Sequence, residues 1–260
     1  FVLIPIVELF MTGRGADEYG EGGEHTFLHD AVLGCGYIMV WAGLYLLLDR
    51  LAAGPQSIAH AGGLVVCAGI LFGAVGINVA HELGHRRNKW VRGLGQLLLL
   101  PSFYMHFTIE HNRGHHRWMA TPQDPATARK GELLYAFWFR STIGGWLSAW
   151  RIENHRLRGK DARAHLKQNQ MLHVQLIQLV AALVAGIGLG WSVLLGWVSA
   201  AIVGFLLLET VNYVEHYGML RKQGPDGRYE RVTRKHSWTS DHPISRALFF
   251  EFPIEIGFNS

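Results

Sequence analysis

HAGGLVVCAGILFGAVGINVAHELGH, residues 60–85, is an apolar run that ends in two histidines without an intervening loop. A helix needs about 20 apolar residues to cross a bilayer, and His60–Ala80 supplies them. The following turn, His81-Glu-Leu-Gly-His85, carries two imidazoles. Neutral imidazole is an ordinary ligand for iron, zinc or copper. The stretch therefore predicts a membrane span with metal-binding side chains at its end.

The rest of the chain has the composition of a membrane protein. Of its 260 residues, 49% are hydrophobic and only 17% are charged. We predict an all-α integral membrane protein, a bundle of transmembrane helices with about four complete spans. The basic residues sit beside the spans rather than on a soluble face, so nucleic acid is not an expected partner. The predicted spans are Ala31–Leu48, His60–Ala80, Met171–Gly190 and Trp191–Val211.

Two further apolar segments do not fit a simple span. Leu97–Ile109 is too short to cross, and we predict that it is interfacial or re-entrant. Leu133–Trp150 contains Arg140, which suits a helix lying in the membrane interface. Both cysteines, Cys35 and Cys67, lie inside apolar spans, so we expect small buried packing residues rather than a disulfide.

Basic clusters flank the histidine-bearing ends of the spans. They are Arg86–Arg92, Arg151–Lys167 and Arg221-Lys222, whereas the opposite loops carry only Arg50. The positive-inside rule assigns such clusters to the cytoplasm. We therefore predict two hairpins whose cytoplasmic ends converge on the histidine-rich metal site. These segments also suit docking of an acidic redox partner, although topology signalling explains them without one.

Histidine spacing indicates how many ions the site holds. His81 and His85 are i,i+4 and lie about 40° apart around a helix, so both reach one ion. His111 and His115 repeat this geometry. His116 points about 100° further round an undistorted helix, which favours a second ion nearby.

The fourth predicted span adds His216, with Glu209 and Asn212 on the same face. A carboxylate inside a membrane is a functional candidate, and orienting an imidazole N–H is one natural role. A carboxylate reaching from the helix end to water is the alternative. The polar residues in and beside the clusters that are candidates to orient the ligands are Asn78, Glu82, Glu110, Asp124, Glu209, Asn212 and Glu215.

Other histidines do not show paired spacing. We interpret His29, His60, His155, His165 and His173, together with the N-terminal His25, as helix-end or interfacial residues. His106 lies close to the second cluster without a paired spacing and stays undecided.

His81-Glu82-Leu-Gly-His85 also matches HExxH, the zinc-protease motif in which the glutamate is the general base. An intramembrane zinc protease is therefore an alternative. A catalytic zinc uses three protein ligands, and the clustered histidines exceed that number. A non-catalytic metal-binding or transport protein is a third class, but apart from Glu209 the spans offer no line of polar residues.

Several segments carry a resemblance to a known family. The chain resembles the membrane-bound alkane monooxygenases (alkane hydroxylases) of the membrane fatty-acid desaturase and hydroxylase superfamily over most of residues 1–250. The histidine boxes are shared across that superfamily, whereas the segments around Asp124, His216 and His236 are more particular to the alkane and xylene group. The segments that carry the resemblance are Asn78–Arg86 (NVAHELGHR), Ile109–His116 (IEHNRGHH), Ala120–Ala126 (ATPQDPA), Asn212–Gly218 (NYVEHYG), Asp226–Glu230 (DGRYE) and His236–Trp238 (HSW).

The resemblance implies six transmembrane helices, a non-haem diiron centre and O2-dependent terminal hydroxylation of n-alkanes to 1-alkanols. Electrons would come from rubredoxin and its NADH-dependent rubredoxin reductase, in a bacterial inner membrane. A xylene-type or fatty-acid hydroxylase or desaturase is the runner-up within the same chemistry. No catalytic residue is implied beyond the metal ligands, which would be His81, His85, His111, His115, His116 and His216.

The chain departs from the family pattern at both ends. We expect residues 1–251 to form one membrane hydroxylase domain that is incomplete at both termini, and residues 252–260 to be an unmatched, artefactual tail. The family's last histidine box, which follows the His-Ser-Trp segment, has no counterpart. The resemblance therefore implies an under-ligated centre that holds fewer than two irons, and it leaves the activity of this particular chain in doubt.

Overall fold

The computed structural model describes residues 27–238, and within that range the chain is almost entirely helical. The artefactual tail predicted at 252–260 lies outside this range, as does His25. Two of the helices contain a π-turn, at Leu71–Ile77 and His111–His115. The helices are α1 (Phe27–Ala52), α2 (Ile58–Gly84), α3 (Lys89–Leu98), α4 (residues 107–118), α5 (Leu134–Arg156), α6 (Ala162–Gln168), α7 (Gln170–Gly188) and α8 (Trp191–His216).

Among the described residues, four helices are long and apolar enough to span a membrane, namely α1, α2, α7 and α8. This confirms the four predicted spans. The structure extends α1, α2 and α8 beyond the predicted bounds and ends α7 two residues earlier. Gly54 and Gly190, both with positive φ, reverse the chain between the members of each hairpin.

The two hairpins meet at one end of the bundle. The ring centroid of His111 lies 4.6 Å from that of His81, near the end of α2, and 5.1 Å from that of His115. The ring centroid of His216, at the end of α8, lies 5.0 Å from that of His115. The predicted convergence of the histidine-bearing ends is therefore confirmed.

Small residues allow α2 and α8 to pack backbone to backbone. A Cβ added at Gly73 would lie 2.5 Å from the carbonyl oxygen of Gly204, and one at Gly69 would lie 2.7 Å from that of Ala200. Between membrane helices such small-xxx-small spacing permits the close approach that supplies van der Waals energy. Gly73 also belongs to the π-turn of α2.

We expect Gly73→Ala to destabilise the protein by about 1–3 kcal/mol, because the new methyl group collides with backbone that has no rotamer to change. Thermal unfolding in detergent measures this as a lower midpoint temperature. Gly63→Ala is the matched control: it lies in the same helix, and nothing lies within 4 Å of its added Cβ. A Gly73→Ala midpoint at or above that of Gly63→Ala would contradict the packing described.

The segment from α3 to α4 enters the bundle and returns. Gln178 Oε1 of α7 accepts the backbone N–H of Met105 at 2.9 Å, and Trp197 Nε1 of α8 donates to the carbonyl of Pro101 at 2.9 Å. Trp197 precedes His216 by 19 residues, or about 29 Å along the helix. Buried side chains thus satisfy non-helical backbone deep among the spans. These contacts favour the re-entrant interpretation of Leu97–Ile109 over the interfacial one.

Helix α5 packs beside the re-entrant segment and exposes an apolar stripe that includes Tyr135, Phe139 and Ile143. Such a stripe suits contact with lipid. Arg140 does not point outward; its guanidinium donates to the loop that precedes α5.

The prediction of buried cysteines is wrong, because Cys35 and Cys67 are both exposed on the outer surface of their helices. A membrane helix is apolar on its outer face as well as its inner face, so hydropathy does not distinguish the two.

Candidate metal centre

Four imidazoles converge at the end of α2. The ligand atoms of His81, His85, His111 and His116 all lie within 4.8 Å of one another. The Nε2 atoms of His81 and His111 are 2.8 Å apart, and those of His81 and His85 are 3.2 Å apart. We call this set the four-histidine group. Ring nitrogens that face one another across so short a distance can bind one ion between them.

The π-turn of α4 explains why His116 belongs to this group. In an α-helix, residues five apart point about 140° away from each other. Here the N–H of His116 bonds to the carbonyl of His111, an i→i+5 bond that widens the turn. The ring of His111 therefore lies 4.6 Å from that of His116. The prediction that His116 cannot share its neighbour's ion applies to an undistorted helix. The π-turn instead places His116 with His111, whereas His115 lies outside the group.

The electrostatics of the group suit a metal. Burial and the neighbouring histidines hold the pKa of His111 well below its usual range. Burial, with smaller contributions from His115 and His85, lowers the pKa of His116 to about 4. Both rings are therefore neutral and keep a lone pair for an ion. The Nε2 of His116 is buried and has no hydrogen-bond partner in the structure, as expected of a ligand atom.

His115 lies beside the four-histidine group rather than in it. Its ring stacks on that of His111 at 5.1 Å and lies 5.0 Å from that of His216. Its Nδ1 bonds to Asp124 Oδ2 at 3.0 Å, and both side chains are buried. Burial lowers the pKa of His115, but the carboxylates of Asp124, Glu110 and Glu215 together outweigh it and raise that pKa to about 9. Without an ion His115 is therefore protonated near pH 7, and it must release a proton to bind one. A carboxylate on one ring nitrogen leaves the other directed at an ion, a common arrangement around metals.

Glu82 does not face the four-histidine group as a general base would. Its Oε1 lies 3.4 Å from His29 Nε2 and 3.5 Å from Arg86 Nη2. The carboxylate therefore joins α2 to the start of α1. This placement is unlike that of the HExxH glutamate, which activates a water on the metal.

The other polar candidates have varied surroundings. Asn78 Nδ2 donates to the carbonyl of Ala74, and Glu209 Oε1 accepts from the hydroxyl of Tyr104 at 2.7 Å. Glu209 is buried, so it does not reach water, and its partner here is a phenol rather than an imidazole. Glu215 Oε2 lies 3.9 Å from His216 Nε2, a loose ion-pair distance.

A small polar chamber lies beside His111 and His115. Burial raises the pKa of Glu110 there to about 8 and lowers that of His106 to about 4. Both groups are therefore neutral near pH 7. Sequence analysis missed Tyr104 and Ser141, whose position in a re-entrant segment and an interface helix gave no spacing signal. The polar residues that line the chamber are Tyr104, His106, Glu110, His111, His115, Ser141, Glu209 and Asn212.

Comparison with known proteins identifies the family to which the chain belongs. The fatty acid desaturase family model matches residues 55–254. Alkane 1-monooxygenase of Ectopseudomonas oleovorans is 39% identical over 198 residues, which cover 75% of this chain and 49% of that protein. Alkane 1-monooxygenase 2 of Pseudomonas aeruginosa is 33% identical over 258 residues, covering 96% of this chain and 68% of that protein.

The hydroxylase component of xylene/toluene monooxygenase from Pseudomonas putida is 29% identical over 195 residues, or 75% of this chain and 51% of that protein. The chain spans about half the length of two of these three relatives. The family match nevertheless covers both histidine clusters and the end of α8. The chain therefore belongs to the fatty acid desaturase family and is a homologue of its alkane 1-monooxygenases.

Proposed function

We propose that this protein hydroxylates the terminal carbon of n-alkanes at an iron centre held by its histidines. The convergence of the four-histidine group at the end of a membrane span carries this proposal. The alkane 1-monooxygenase relatives support the substrate class. In the reaction one oxygen atom of O2 enters a terminal C–H bond and the other leaves as water, with two electrons and two protons supplied.

The donor set is compatible with iron. The four converging ligands are nitrogen atoms of neutral rings without thiolates, a set that suits iron or copper redox chemistry as well as zinc. Bound iron would supply the activation of O2. We propose His81, His85, His111 and His116 as ligands of one ion. His115 and His216 adjoin them and would contribute to the second ion of the diiron centre that the resemblance implies. Two rings would hold that ion more weakly than four hold the first.

The alkane would approach from the membrane side of the site. The ring of Phe107 stacks on His111 at 4.7 Å and lies 6.4 Å from His81. Tyr104 continues this aromatic wall towards Phe205 of α8, with ring centroids 5.2 Å apart. An apolar wall between the lipid-facing helices and the histidines would hold the chain end against the ion, a gain from orientation.

Electrons would come from rubredoxin and its reductase through a basic surface. Arg86 and Arg92 are engaged internally, since Arg86 pairs with Asp30 and Arg92 donates to the carbonyls of Arg86 and Arg87. Around α6 the exposed cations Arg158 and Lys167 remain for an acidic partner. We propose that this surface and the histidines face the cytoplasm of a bacterial inner membrane.

The activity of a Glu82→Gln variant distinguishes the proposed hydroxylase from a zinc protease. We expect the variant to keep hydroxylation within about threefold, because Glu82 contacts His29 and Arg86 rather than the four-histidine group. A protease would lose its general base and with it nearly all activity. The measurement is octane oxidation beside cleavage of a membrane peptide. Loss of peptide cleavage in Glu82→Gln, with octane untouched by the wild type, would favour the protease.

Product analysis tests the substrate class. Octane, hexadecane, xylene and a fatty acyl substrate are offered to the protein in membranes, with rubredoxin and its reductase present. We expect 1-octanol and 1-hexadecanol. A benzylic alcohol from xylene alone would favour the xylene-type enzyme, and a hydroxylated or unsaturated acyl product would favour the other members of the family.

A further inference from the structure

The loop that carries Asp124 is held by contacts beyond the metal centre. We call residues 119–132, between α4 and α5, the Asp124 loop. Within it the Asp124 carboxylate accepts from Thr127 Oγ1 at 2.6 Å and from the backbone N–H of Ala126 at 3.0 Å. These bonds fix the carboxylate that contacts His115. Whatever holds Ala126 and Thr127 in place therefore also sets the direction of the His115 ring.

Arg140 of α5 holds that part of the loop. Its Nη1 donates to the carbonyl of Pro125 at 3.0 Å, and its Nη2 donates to the carbonyl of Thr127 at 3.0 Å. Its Nε and Nη2 also donate to the two carboxylate oxygens of Glu132, at 2.6 and 2.8 Å. One planar guanidinium thus bonds on both sides of Ala126 and at the end of the loop. Only arginine offers such a fixed fork of donors.

The α5 helix approaches the loop closely at this point. A Cβ added at Gly144, one turn after Arg140, would lie 3.0 Å from Pro125 Cβ. The side chain of Arg140 is 24% exposed and that of Glu132 is 11% exposed. The contacts are therefore shielded from solvent. A bidentate ion pair and charge-assisted hydrogen bonds to carbonyls are stronger in such a shielded place than at an exposed surface.

We propose that Arg140 is a positioning residue for the metal centre, acting through the Asp124 loop to hold His115 in its ligating orientation. The inference rests on the proposed function only in taking His115 as a ligand. Arg140 touches neither the ion nor the substrate. Its effect passes from the guanidinium to the carbonyls of Pro125 and Thr127, then to the Asp124 carboxylate and His115 Nδ1.

A Co²⁺ titration of the metal-free protein in detergent tests this without relying on turnover. Cobalt binds to histidine ligands, and its visible absorption reports their number and geometry. The variants are Arg140→Gln, Arg140→Lys, Asp124→Asn and the double variant Arg140→Gln/Asp124→Asn. Arg151→Gln, exposed on the same helix, is the matched control. Thermal unfolding of each metal-free variant reports whether the fold is retained.

We expect Arg140→Gln to weaken binding of the Co²⁺ ion that His115 holds about tenfold, the lower end of the 10–100-fold cost of losing a partner that orients a ligand. Binding of the ion in the four-histidine group should stay as in the wild type. Arg140→Lys keeps the charge but lacks the fork, so its affinity should also fall while its fold is retained. Arg151→Gln should bind as the wild type does. Because Arg140 acts through Asp124, the double variant should bind no more weakly than Asp124→Asn alone.

Two results would overturn the inference. One is wild-type Co²⁺ affinity in Arg140→Gln and Arg140→Lys. The other is a double variant whose loss equals the product of the single losses, which indicates a structural role independent of Asp124. Failure of the proposed function would give another result. The wild-type protein itself would bind no Co²⁺, or the wild-type protein would bind metal and form no alcohol from octane.

Discussion

Replacing His111 with alanine is expected to remove the ion of the four-histidine group and to lower octane hydroxylation more than about 100-fold. His111 lies between other members of the group: its Nε2 is 2.8 Å from that of His81, and its ring centroid is 4.6 Å from that of His116. Loss of a partner that only orients a ligand costs about 10–100-fold, so loss of a central ligand should cost more. Iron content and octanol formation measure the two effects.

The control for this variant is His155→Ala. His155 lies on α5 and is exposed, and we expect both iron content and activity to stay as in the wild type. An iron content unchanged in His111→Ala, with unchanged activity, would show that the converging imidazoles are not the metal site.

Asp124→Asn is expected to lower the affinity for the iron that His115 would hold, and hydroxylation with it, about 10–100-fold. The Asp124 carboxylate accepts the Nδ1–H of His115 at 3.0 Å and so leaves Nε2 for the ion. An asparagine keeps the shape of the side chain but loses the charge, and in one of its two orientations it presents a donor to Nδ1. Iron titration and the rate of octanol formation measure the loss.

Asp226→Asn serves as the comparison, because Asp226 lies in an exposed turn and accepts the N–H of Arg228. We expect it to keep wild-type iron affinity. Equal behaviour of the two variants would mean that Asp124 does not orient His115.

The sequence predicts the spans and the histidine clusters well, for a physical reason. A bilayer imposes a minimum apolar length, so each span is visible as a run of residues. His81 and His85 are four apart on a helix, and that spacing puts them together without further knowledge. Basic clusters beside three span ends likewise predicted that these ends meet. The ring of His216 at the end of α8, which lies 5.0 Å from that of His115, agrees with this prediction.

The remaining parts depend on contacts between distant segments. The π-turn at His111–His115 places His116 in the four-histidine group. The residue pattern did not predict this π-turn. Arg140 was interpreted as an interfacial charge, because its partners Pro125, Thr127 and Glu132 become neighbours only when α5 folds back on the loop. Spacing along one helix cannot report such tertiary bonds.

The same reasoning applies to Glu209. Its position on the face of His216 suited a contact with an imidazole or with water, yet the re-entrant segment brings the hydroxyl of Tyr104 to it at 2.7 Å. A buried carboxylate takes the donor that folding supplies. The polar chamber beside His111 arises in this way, from a segment too short to be recognised as part of the bundle core.

The most direct test of the central claim is mass spectrometry of the product formed from octane under ¹⁸O2. The iron-supplied protein is assayed in membranes with rubredoxin, its reductase and NADH. We predict 1-octanol that carries one ¹⁸O atom, in amounts that fall with His111→Ala. Iron-loaded protein that leaves octane unchanged under these conditions, or octanol without the label, would contradict hydroxylation at the histidine centre.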